Sequence, residues 1–167
     1  MEISNLHLGN NVNIDSTSSI NNVIIGDNVK VSKYCSIYGS KEHVLEIGKD
    51  TYIGMFTILN GFAISMKIGE HVSVAQNVNI MTESGPNASL FMQKFYPIIK
   101  GEVIIEDHVW IGASVIVMPG VRIGRCSIVA ANSFVNSNIE PYCLYAGSPA
   151  RLIKKLGQIE KYESKEN

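Results

Sequence analysis

The 167-residue chain is 46% hydrophobic and 17% charged, a balance that suits one folded domain with a sizeable core and excludes a disordered chain. Its 14 Lys and Arg residues against 15 Asp and Glu leave a formal net charge of −1, so there is no basic footprint for nucleic acid or for an anionic membrane surface. The first nine residues carry Glu2 and lack a basic and apolar leader, and no apolar run nears about 18 residues, so a soluble, cytoplasmic protein without membrane insertion is expected.

From residue 8 onward an aliphatic side chain returns every sixth residue: Leu8, Ile14, Ile20; Ile25, Val31, Ile37; Ile47, Ile53, Leu59; Ile68, Val74, Ile80. After an interruption the beat resumes with Ile105, Ile111, Val117 and Ile123, Val129, Val135. The phase slips only between triplets: it loses one residue after Ile20 and gains four after Ile37, three after Leu59 and nineteen after Ile80. A six-residue unit fits a short strand plus a corner, and three such units close a triangular turn, so the pattern predicts about six triangular coils of an all-β parallel β-helix. An antiparallel sandwich would alternate with period two and have irregular turn spacing. The residue four places after the beat is usually small or β-branched, as in Val29, Thr51, Val72, Val109, Ser127 and Ser133, where the triangular interior narrows.

The excess after Ile80 predicts a protruding loop over about residues 81–103, and long ordered loops commonly serve binding or catalysis. Beyond residue 149 the beat stops and Lys, Glu, Leu and Ile accumulate, so a β-helix domain over 1–149 and a short C-terminal helix or tail over 150–167, capping the open end, are expected. Cys35, Cys126 and Cys143 form an odd set without CxxC spacing, which suggests neither a disulfide framework nor a zinc site.

The elements VWIGA, MPGV, IG and AGSPAR follow one another on the beat between Ile105 and Lys155, and this stretch resembles the C-terminal half of bacterial hexapeptide-repeat acetyltransferases, such as the galactoside and maltose O-acetyltransferases. The resemblance implies a left-handed β-helix, a homotrimer, and acetyl-CoA lying in the groove between subunits. Carried over by position, it implies cofactor contacts at Trp110, Ala113, Ala131, Asn136, Ser137, Arg151 and Lys154. Small residues let a pantetheine chain approach backbone amides, and cations pair with nucleotide phosphates. Relatives often carry Thr-Lys where this chain has Asn136 and Ser137. Trp110 directly precedes a beat residue, so its side chain points outward, where it would wall the thioester or pack a subunit interface.

Sugar acetyltransferases of this kind place a histidine near the start of the protruding loop, in a run resembling TxSHDPN, as general base for the acceptor hydroxyl. Here the run is Thr82, Glu83, Ser84, Gly85, Pro86, Asn87, and Gly85 stands where the histidine would be. Glu83 and His108 are the candidate substitute catalytic groups. An amine acceptor needs such a base less than an alcohol does. The expected activity is therefore acetyl-CoA-dependent transfer, without a metal, to a sugar hydroxyl or amine in polysaccharide or nucleotide-sugar metabolism. The competing reading is a catalytically impaired scaffold. A carbonic anhydrase on this fold would need two histidines five residues apart, and His7, His43, His71 and His108 contain no such pair.

Overall fold

The six-residue beat is a stacking register. The computed structural model describes residues 3–157, in which Leu8 pairs with Ile25 and the first side continues upward through Ile47, Ile68, Ile105 and Ile123. The second side stacks Ile14, Val31, Ile53, Val74, Ile111 and Val129. The third stacks Ile20, Ile37, Leu59, Ile80, Val117 and Val135. Every one of these pairings is parallel, which makes a triangular solenoid of six coils. A partial seventh coil lies on top, where Ile139 bridges to Ile123 and Tyr145 pairs with Val129. The residue lost after Ile20 joins two sides into one continuous strand, Ser19–Ile25, with Asn22 at φ +53° easing the bend.

From Ile20 to Val135 every beat residue is at most 3% exposed, so each contributes about 1.5–3 kcal/mol by leaving water. Leu8 is 53% exposed because the first coil has a neighbour on one side only. The narrow interior positions hold Val29, Val72, Val109 and Val115, and where a hydroxyl replaces a methyl there it bonds backbone. Thr51 donates to the Gly69 carbonyl (3.0 Å) and accepts from the Val72 amide (3.2 Å), and Ser127 donates to the Glu140 carbonyl (2.7 Å). These bonds tie successive coils together, and among the described residues no buried hydroxyl is left unsatisfied.

The corners are built by left-handed residues in columns. Asn11, Asn28, Asp50, His71, His108, Cys126 and Tyr142 all have φ between 53° and 59° at the corner between the first and second sides. Tyr34, Phe56, Asn77, Ser114 and Asn132, at φ 58° to 60°, do the same between the second and third. Asn and Asp tolerate this region through local hydrogen bonding, and Tyr34 and Phe56 stack on each other, their rings 5.2 Å apart at 12°.

The expected C-terminal helix is not what residues 151–155 form. Arg151–Lys155 is a strand that folds back antiparallel on Cys143–Ala146. The last coil presents a bare strand edge, and a returning strand satisfies its amides and carbonyls where a helix would only cover them. Residues 158–167 of the expected helix lie outside the described residues. The loop expected over 81–103 does protrude: Glu83–Ser84 and Ile99–Lys100 form an antiparallel stem, and the tip exposes Leu90, Phe91, Phe95 and Tyr96. Among the described residues no helix is long and apolar enough to cross a membrane.

Candidate active site

The corner between the second and third sides changes character with height. Two residues past the beat, the lower coils carry Lys33, Met55 and Gln76, whereas the upper coils carry Ala113, Ala131 and Gly147. Gly112 belongs to the same strip, since a Cβ there would sit 2.6 Å from the Ala131 amide nitrogen. The corner thus becomes a shallow channel floored by backbone. Among the described residues neither the Ala113 nor the Ala131 amide has an acceptor, while the Ala113 carbonyl is taken by Asn132 at 2.9 Å. Two free donors in a strip of small side chains suit a thin amide-bearing chain such as pantetheine.

Trp110 stands beside this channel on the second side, between Ser73 below and Ile128 above, with 54% of its surface exposed. Its outward direction is therefore as the alternation required. Arg151 pairs in register with Ala146 at the rim, and its guanidinium donates to the Ala150 carbonyl at 2.9 Å. Lys154 lies opposite Leu144 on the outermost strand and is exposed. Trp110, Ala113, Ala131, Arg151 and Lys154 are thus brought to one side of the upper coils.

The other candidates are not. Asn136 and Ser137 are exposed at the far end of the third side, at the corner leading to the first. His108 sits at the corner between the first and second sides, its ring stacked on His71 at 4.9 Å and 2°. Glu83 is at the foot of the arm and ion-paired to Lys100 at 3.1 Å. Glu83, His108 and the alanine channel occupy three different corners of one chain.

The position equivalent to the expected loop histidine is closed. A Cβ on Gly85 would lie 2.8 Å from the Ile98 Cα, because the two legs of the arm touch there. Glycine is what lets the arm close, and no side chain fits that point without moving it.

The chain reading of the phase slips missed a second cleft. The extra residues after Ile37, Leu59 and Ile80 all emerge at the corner between the third and first sides, in consecutive coils. Together they line a groove of about 460 Å³ that includes Lys41, His43, Phe62, Glu83 and Lys100. The repeated slip at one phase was its only sequence signal. A groove of about 550 Å³ on the first side is lined by paired charges, Lys67 with Glu46 at 3.7 Å and Arg122 with Glu106, and unlike the insertion groove it holds no aromatic ring. Among the described residues no group of three or more His, Cys, Asp or Glu side chains is placed to hold a metal.

Residues 102–137 match the family model described as bacterial transferase hexapeptide (six repeats). A hexapeptide-repeat-containing acetyltransferase from Vibrio cholerae O1 biovar eltor, solved with acetyl coenzyme A, is 30% identical, with 90% of this chain and 71% of that one covered and a TM-score of 0.64. This chain belongs to the hexapeptide-repeat acetyltransferase family. AntD, an N-acyltransferase from Bacillus cereus solved with dTDP-4-amino-4,6-dideoxyglucose and coenzyme A, superimposes with a TM-score of 0.80 at 27% identity, covering 91% of this chain and 84% of that one. The galactoside O-acetyltransferase of Escherichia coli K12 is 32% identical over 126 residues, 75% of this chain. A probable macrolide acetyltransferase of Lysinibacillus sphaericus is 52% identical over 64 residues, 38% of this chain. The chain spans 59% and 36% of the length of these two curated relatives.

Proposed function

We propose that this protein transfers an acyl group, acetyl in the simplest case, from coenzyme A to the amine of a sugar, and that it works as a homotrimer in the cytoplasm on sugars of nucleotide-sugar or polysaccharide metabolism. The observation that carries the choice of an amine is the closed position at Gly85, where the Ile98 backbone excludes the side chain that would deprotonate a hydroxyl. AntD, an N-acyltransferase seen with a nucleotide-linked amino sugar, supports the same reading.

In this reading the Ala113 and Ala131 amides hold the pantetheine arm, Arg151 and Lys154 pair with nucleotide phosphates, and Trp110 walls the thioester. A neutral amine, nucleophilic without a strong base, attacks the thioester carbonyl. The C–N bond forms as the C–S bond breaks, and the ammonium proton passes to water or to the departing thiolate. Against the scaffold alternative, which the missing loop histidine raises, stand the small side chains at Ala113 and Ala131, the exposed Arg151 and Lys154, and the coenzyme A seen in AntD.

Release of free coenzyme A thiol, followed with dTDP-4-amino-4,6-dideoxyglucose and with dTDP-glucose as acceptors, tests the choice. Turnover is expected with the amine alone. Equal or greater turnover with the hydroxyl sugar would overturn it.

A further inference from the structure

The groove made by the three insertions contains groups that nothing else in the fold uses. Phe62 is 61% exposed, its amide is fixed by the Asn60 side chain at 3.2 Å, and among the described residues no ring stacks on it. Lys41 has no ion-pair partner among them either, and the His43 imidazole makes no hydrogen bond. The loop that carries both is nevertheless held in shape, since the Ser40 amide donates to the His43 carbonyl at 2.8 Å and the Ser40 hydroxyl accepts from the His43 amide at 3.0 Å. Glu83 and Lys100 form the opposite wall from the foot of the arm, and Glu42 also faces the space.

An aromatic plate beside two lysines, in a cleft of about 460 Å³, has the composition of a nucleotide site, since bases stack on aromatic rings and ammonium groups pair with phosphates. Two carboxylates in the same cleft exclude a bare polyanion. A ligand with a diphosphate at one end and an ammonium at the other satisfies both sets of charges, and a nucleoside diphosphate linked to an amino sugar is such a molecule.

We propose that the insertion groove binds the nucleotide half of a nucleoside diphosphate-linked amino sugar, with its base on Phe62, its phosphates at Lys41 and Lys100, and its amine on the Glu42 and Glu83 side. The proposal rests on the amine-acceptor reading only for the sugar's amine. It places that acceptor at the opposite end of the third side from the alanine channel, on residues of this chain that the shared repeat does not contain.

Calorimetric titration with dTDP-4-amino-4,6-dideoxyglucose, and separately with coenzyme A, tests it on the wild type, Phe62→Ala and Lys41→Ala. Both substitutions are expected to weaken the sugar nucleotide at least tenfold and to leave coenzyme A affinity unchanged, which also shows that the variants are folded. Unchanged sugar-nucleotide affinity in both variants would overturn the site. So would a wild type that binds coenzyme A but not the sugar nucleotide. Phe62-dependent binding in a protein that does not bind coenzyme A would uphold the groove and defeat the acyl-transfer reading instead.

Discussion

At the scale of single residues the same side chain type has different worth according to its height in the stack. Ile111 is fully buried between coils on both sides, whereas Leu8 keeps 53% of its surface in water. Ile111→Ala removes three carbons from a close-packed column and should cost about 2–5 kcal/mol, while Leu8→Ala should cost about 1 kcal/mol or less. Urea midpoints at constant slope would show the contrast, and equal losses would mean that the first coil is buried in the assembled protein. Cys35 illustrates a position where packing sets chemistry. Burial pushes its thiol above the ordinary range, only partly offset by hydrogen bonds, and its sulfur contacts the Gly54 carbonyl at 3.2 Å, so it serves as core and not as a nucleophile.

At the scale of elements, the alanine channel proposed to hold the donor is a column of corners, so its opening is controlled by side-chain size at one phase of the repeat. Ala131 is exposed while Gly112 underlies it, which separates ligand binding from folding. Ala131→Leu should fill the channel and weaken coenzyme A binding at least tenfold in a calorimetric titration, with little change in thermal midpoint. Gly112→Val should instead lower the midpoint, because its Cβ meets the Ala131 backbone. The sixteen buried beat positions from Ile20 to Val135 were legible in the sequence, as was the column of small side chains at Ala113 and Ala131, since a period of six marks one side of each coil. The fold-back strand was not legible: Arg151–Lys155 has a composition suited to a helix, and only the bare edge beneath it selects a strand. Asn136 and Ser137, expected at the cofactor from their position in relatives, occupy the corner between the third and first sides, so they would meet a ligand at Ala113 and Ala131 only across a subunit interface. Lys41 and Phe62 escaped notice, and His43 was weighed only as a metal ligand, because a slip of phase reports the length of an insertion and says nothing of what its side chains face.

At the scale of the molecule, the alanine channel and the insertion groove lie at opposite ends of the third side, each open to solvent on a single chain. Acyl transfer requires the thioester and the amine within bonding distance. A cyclic homotrimer resolves this if the insertion corner of one copy faces the alanine corner of the next, since a heterologous contact brings two different surfaces together three times. Arg151→Ala and Phe62→Ala should each suppress turnover when present in every copy. Co-expressed, the two variants form mixed trimers in which a site is intact wherever a copy with Arg151 meets a neighbour with Phe62. Random assembly leaves about one quarter of the interfaces in that state, so about a quarter of wild-type activity should return. A mixture as inactive as its parents would place donor and acceptor on one chain, and sedimentation of the wild type as a stable monomer would remove the shared interface altogether.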